Sequence, residues 1–122
     1  MMHLVNWIEI PVINMKRAIE FYQKSLSGVN FVEMDMGGLK YALFPTQDKH
    51  NCGALVEGEN YRPSPEGITI YLDGGKDMNP ILERVAKAGG TVLMAKKNLG
   101  NKAGHIGLFI DSEGNKIGLQ HP

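Results

Sequence analysis

The 122-residue chain has one cysteine, Cys52, so no disulfide within the chain can staple its fold. It has no excess of charge either, because 13 Lys and Arg balance 13 Asp and Glu. A neutral chain without a basic block lacks the electrostatic footprint of a nucleic-acid binder or of a protein drawn to an anionic membrane. The short run Lys96-Lys97 reads as a solvated loop. No apolar stretch reaches the roughly 20 residues that span a bilayer, and no basic segment followed by an apolar one opens the sequence. Together with the lone thiol, these absences give the expectation of a cytoplasmic protein with neither a nucleic-acid nor a membrane partner. Phosphate-cradling glycine loops, nucleophile elbows, zinc-ligand spacings and dinucleotide fingerprints are missing as well.

What the chain does have is glycine, 15 in all, several of them paired at Gly37-Gly38, Gly74-Gly75 and Gly89-Gly90. These pairs punctuate short elements. Residues 6–31 read as strand, helix, strand. The helix carries Met15, Ala18, Ile19, Tyr22 and Leu26 along one face of a 3.6-residue period, with Lys16, Glu20 and Lys24 opposite. Asn14 is placed to cap its start, and Gly28 to end it in a left-handed conformation. Strands are expected at residues 5–12, stopped by Pro11, and at 29–36, 39–45 and 52–57. Residues 58–67, with Pro63 and Pro65, have linker chemistry.

The order then begins again, with a strand at 68–72 and a helix capped by Asp77. Its apolar residues Met78, Ile81, Leu82 and Val85 repeat Met15, Ala18, Ile19 and Tyr22 at a constant offset of 63. Pro80 falls in the first turn of this helix, where a missing N–H costs little. Strands at 91–95, 105–110 and 116–120 follow, with a polar loop at 96–104 and a turn at 111–115. The expected architecture is α+β: two tandem βαβββ modules in a single domain over 1–122. Module one covers about 1–57, the linker 58–67 and module two about 68–122. The two half-buried sheets form a curved mixed sheet around a cleft, with the helices outside. Strand alternation puts Trp7 with Glu9 on one face, Thr69 with Tyr71, and Gly118 with Gln120.

The segments IPVINMKRAIEFYQKSLSGVNF, ERVAKAGG and FIDSEGNKIGL resemble the vicinal oxygen chelate superfamily, which includes glyoxalase, bleomycin-resistance and extradiol-dioxygenase-like proteins. The resemblance covers nearly the whole chain. It implies the glyoxalase/bleomycin-resistance fold and a homodimer with pockets near the interface. In metal-dependent members, His or Glu at four strand positions holds a divalent ion. Those positions fall here at Trp7, near Ala54 (Val56 or Glu57 in a slipped register), at Thr69 (with Gly67 and Tyr71 on the same face) and at Gly118. None of the best-aligned four is His, Asp, Glu or Cys, whereas an ion needs several donors converging on one point. Neither a metal nor another cofactor is expected.

The expected function is therefore the binding of a small organic molecule in the cleft without the family's usual metal. Two alternatives stand beside it. One is a glyoxalase-type lyase or isomerase, or a dioxygenase-like enzyme, that draws unusual ligands from Glu9, Glu57 and His105 or works metal-free through Glu9. The other is an interaction module with a collapsed pocket. Candidate ligand-binding residues are Trp7, Glu9, Tyr41, Thr69, Tyr71, His105, Gly118 and Gln120. Trp7 reads either as a stacking platform or as bulk filling the metal's place. Glu9 is the one catalytic candidate, against a structural carboxylate. Tyr41 and Tyr71 read as pocket walls or packing, and His105 as a ligand contact or an exposed loop end. His3, His50 and His121 read as terminal or turn residues, with His3 near His121. Cys52 reads as a buried, inert thiol, and Met34, Met36 and Met94 as an adaptable apolar wall. Residues 96–104 read as a mobile cover.

Overall fold

Two helices mark the expected halves. In a computed structural model that describes residues 4–45 and 51–122, the first half contains β1 (Ile8–Pro11), α1 (Met15–Leu26), β2 (Val32–Met36), β3 (Leu39–Leu43) and β4 (Gly53–Glu57). The second contains β5 (Ile70–Asp73), α2 (Asn79–Lys87), β6 (Thr91–Asn98), β7 (His105–Ile110) and β8 (Lys116–His121). Each half builds its own four-stranded mixed sheet, in the orders β1-β4-β3-β2 and β5-β8-β7-β6. The first strand of each half runs parallel to the last, and the other pairings are antiparallel. The fold is α+β, two βαβββ modules in tandem.

Asn14 caps α1 as expected, its Oδ1 accepting from the Arg17 N–H at 3.0 Å. The buried stripe is wider than the periodic one, because α1 packs against α2 as well as against β3 and β4. Phe21 and Ser25 join Met15, Ala18 and Tyr22 in the interior, while Ile19 and Leu26 are only half-buried. Phe21 meets Tyr22 edge-on at 5.0 Å and reaches across to Phe109 of the second half at 6.0 Å. The helix ends one residue earlier than expected, since Ser27 already takes φ 49° before Gly28 at φ 82°.

In α2, Met78, Ile81, Leu82 and Val85 are all buried. Asp77 is not the N-cap. Met78 is, without a side-chain bond, and Asp77 Oδ1 instead accepts from the Asn79 N–H at 3.0 Å and from Lys96 Nζ at 3.1 Å.

Several strands differ from their expected bounds. β1 is shorter and contains Pro11 rather than stopping before it. As the outer strand of its sheet, β1 needs only one bonded edge, which tolerates a proline. β6 runs through Lys96 and Lys97 to Asn98, with register shifts that let the polar residues pair with β7. The expected cover at 96–104 is thereby reduced to a turn, closed by Leu99 N–H donating to the Gly104 carbonyl and Ala103 N–H to that of Gly100, both at 2.9 Å.

A buried turn after β7 ties the halves together. The Asp111 carboxylate accepts from the Tyr22 hydroxyl at 2.6 Å, from the N–H groups of Glu113 and Asn115 at 2.9 Å, and from Asn115 Nδ2 at 3.1 Å. Burial first, then the Asp111 charge, pushes the Tyr22 phenol well above its ordinary pKa. Glu113 accepts from the N–H groups of Ile13 and Asn14 and from both Nε and Nη2 of Arg17, at 2.8 to 3.0 Å. Burial opposes its ionisation. The bonds from Arg17, Asn14, Ser112 and Ile13 outweigh that and hold the carboxyl at about 2. One apolar cluster spans both halves, from Ile10 and Leu55 to Phe109 and Leu119. Among the described residues no helix is long and apolar enough to cross a membrane.

Candidate functional site

β1 and β5 are the first strands of their sheets, and the gap between these two edges is a cleft of about 590 Å³. Alternation sends Ile10 into the core and leaves Glu9 on the opposite face, in the cleft with Trp7. From the second half, Thr69 and Tyr71 line it, joined by Lys116 at the start of β8. Four of the sequence candidates, Trp7, Glu9, Thr69 and Tyr71, are thus brought together. Trp7 is 41 % exposed and Tyr71 47 %, so both rings offer free surface.

Glu9 is fully engaged within the fold. Its Oε1 accepts from the Tyr61 hydroxyl at 2.7 Å and its Oε2 from Trp7 Nε1 at 3.2 Å. The bond to Glu9 comes first, and partial burial second, in raising the Tyr61 pKa. Tyr61 lies in the proline-containing connection, which a reading by periodicity treats as a spacer, and nothing in the local pattern marks it. Lys116, also outside the expected set, makes no ion pair among the described residues. Its signal was available in the alternation of the last strand, two residues before Gly118.

Gly118 is the partner of Tyr71 in the parallel register of β5 and β8. A Cβ at residue 118 would run into the Tyr71 ring, at Cδ1, Cε1 and Cγ. The ring therefore lies where a side chain from residue 118 would stand. Gly118 is buried beneath it and reaches the cleft only through Tyr71.

The remaining candidates lie elsewhere. Gln120 and the far side of Tyr71 border a more open depression of about 750 Å³ with Leu99 and Ile106. Tyr41 pairs with Met34 and Val56 in the first sheet, outside the lining of the cleft. His105 stacks on His121 at 4.8 Å between ring centroids, with both Nδ1 atoms facing the Pro122 carbonyl oxygen. His3 and His50 lie outside the described residues. Cys52 is exposed rather than buried, because β4 begins only at Gly53 and leaves it at the strand's mouth.

The donors a family-type metal would need do not converge. Trp7, Ala54, Thr69 and Gly118 offer an indole, a methyl group, one hydroxyl and no side chain, a set that does not fit a divalent ion. The alternative trio is scattered too. Glu57 accepts from the Met15 N–H at 2.7 Å and approaches Lys40 at 3.7 Å, Glu9 holds Tyr61 and Trp7, and His105 stands on His121. Among the described residues no group of three or more His, Cys, Asp or Glu is placed to hold an ion.

Residues 4–119 match the family model of the Glyoxalase/Bleomycin resistance protein/Dioxygenase superfamily. No curated protein matches in sequence. Among solved structures, a V278E mutant of glyoxalase I from Zea mays is similar at 21 % identity and TM-score 0.67, over 93 % of this chain. This chain spans 44 % of that protein's length. A glyoxalase/bleomycin resistance protein from Albidiferax ferrireducens T118 is similar at 14 % identity and TM-score 0.69, over 98 % of this chain and 100 % of its own. TnmS3, an antibiotic binding protein from Streptomyces sp. CB03234, is similar at 19 % identity and TM-score 0.65, over 99 % of this chain and 97 % of its own. At these identities the likeness is one of fold.

Proposed function

The chain belongs to the Glyoxalase/Bleomycin resistance protein/Dioxygenase superfamily, and from that premise we propose that it binds a small organic molecule in the β1–β5 cleft without the metal of the family's enzymes. The observation that carries this reading is the Tyr71 ring over Gly118. An aromatic face stands where a carboxylate from the last strand would have to enter, and Trp7 lines the same cleft. Two exposed rings flanking a gap of about 590 Å³ suit a flat, largely apolar ligand. Thr69 and Lys116 supply polar anchors, and Glu9, fixed by Tyr61, orients the indole. That a neighbour of the same fold is an antibiotic binding protein supports the class of function.

The working unit is a homodimer in the cytoplasm. A second copy covers the apolar residues Val32, Met34 and Met36, which this chain leaves exposed.

The test is metal content of the untagged protein, together with its melting temperature in Zn, Ni, Mn and Fe(II). No stoichiometric metal and no shift are expected, and one metal per chain with clear stabilisation would overturn the reading. Binding is then followed through Trp7, the only tryptophan in the chain, against a panel of flat aromatic metabolites. A compound that quenches Trp7 should also raise the melting temperature. Trp7→Ala should lose that rise while remaining folded.

A further inference from the structure

A second cavity lies on the other side of the same strands. It has about 470 Å³, within the range of small-molecule sites, and sits between the C-terminal part of α1 and the start of the second half. Ile10 and Leu55 face it, whereas Glu9 and Ala54, their neighbours along β1 and β4, belong to the opposite face. Ile10 also touches the β1–β5 cleft, so the two sites share that one residue and differ in the rest of their lining. This one is closed by apolar groups: Tyr22 and Phe31, which meet at 6.5 Å, with Phe44, Leu72 and Ile81 around them. Tyr22 is 1 % exposed and its hydroxyl is committed to Asp111, so its ring forms part of the inner wall.

Among the described lining residues, the free polar side chains are those of Cys52 and Asp73 at the rim. Cys52 is exposed there. Asp73, at the end of β5, has Oδ1 accepting from the Gly75 N–H at 2.8 Å and pairs with no cation among the described residues. We propose that this cavity is a ligand site for a compact hydrophobic amine, whose aryl or branched hydrocarbon body enters between Tyr22, Phe31 and Leu72 while its ammonium meets the Asp73 carboxylate. Hydrocarbon inside and an anion at the rim that pairs with no cation among the described residues select that combination over neutral or anionic molecules of the same shape.

Cys52 is the only cysteine in the chain, so its alkylation reports on the rim directly. The full-length protein is treated with iodoacetamide at fixed pH and ionic strength, with 2-phenylethylamine or the uncharged 2-phenylethanol present. The amine should slow alkylation saturably, by about tenfold at ten times its dissociation constant, and the alcohol should protect less. Asp73→Asn should reduce protection by the amine to the level of the alcohol. Val29→Phe, which places a ring in the cavity, should remove protection by both. Trp7 emission should stay constant throughout, which separates this site from the cleft. Alkylation unaffected by the amine would overturn the proposal. So would protection that survives both substitutions, or protection that tracks Trp7 emission. If Val29→Phe does not fold, Asp73→Asn, an exposed position, decides alone.

Discussion

A methyl group at residue 118 would overlap the Tyr71 ring, and this pair of residues sets the character of the cleft. Gly118→Ala should cost about 1–3 kcal/mol, the ordinary penalty of overpacking a filled site. Urea unfolding of Gly118→Ala, Tyr71→Ala and the double mutant checks the cause: the double mutant should recover most of the loss, because the clash needs both partners. A second residue-scale prediction concerns acid. The Glu113 carboxyl is held at about 2 in the fold against an ordinary 4.5. A depressed carboxyl contributes its stability in full above the unfolded value and loses it as pH falls, here between about 4.5 and about 2. The contribution is about 3 kcal/mol. Melting temperatures between pH 5 and 2.5 should fall steeply in the parent and much less in Glu113→Gln, which starts lower at pH 5.

At the scale of elements, α1 is held at its start by residues from three places. Asn14 bonds the Arg17 N–H, Glu57 of the same half bonds that of Met15, and Glu113 of the other half bonds those of Ile13 and Asn14. Asn14→Ala should therefore cost only about 1 kcal/mol, the value of one cap, and leave the helix intact by circular dichroism. The cap itself was legible in the sequence, because its partner lies three residues away on the same helix. The roles of Glu57 and Glu113 were not, since their partners are 42 and about 100 residues distant. For the same reason no local signal marks Tyr61, its partner Glu9 being 52 residues away. The closing turn at 99–104 is the converse case. A run of lysine and asparagine reads as loop by composition, yet bulged pairing with β7 takes its first three residues into β6.

At the scale of the molecule, the two halves share one core but leave β2, the outer strand of the first sheet, exposed along its whole length. Val32, Met34 and Met36 alternate along β2 and are 63 %, 42 % and 55 % exposed. A charge placed among them should prevent a second copy from covering that strand. Light scattering should give the mass of two chains for the parent and of one for Met34→Glu, and a monomeric parent would refute the dimer. What the sequence determined by itself was the architecture, because helix and strand periods and the offset between Met15 and Met78 are local and repetitive signals. It also determined which faces Trp7, Glu9, Thr69 and Tyr71 share, because alternation along a strand is fixed by the backbone. Only the tertiary structure decided that Tyr71 covers Gly118, that Glu9 is tied to Tyr61, and that Cys52 borders a cavity away from the cleft. Each of these depends on how two separately patterned segments meet, and register between distant strands is set by packing that no single stretch of sequence contains.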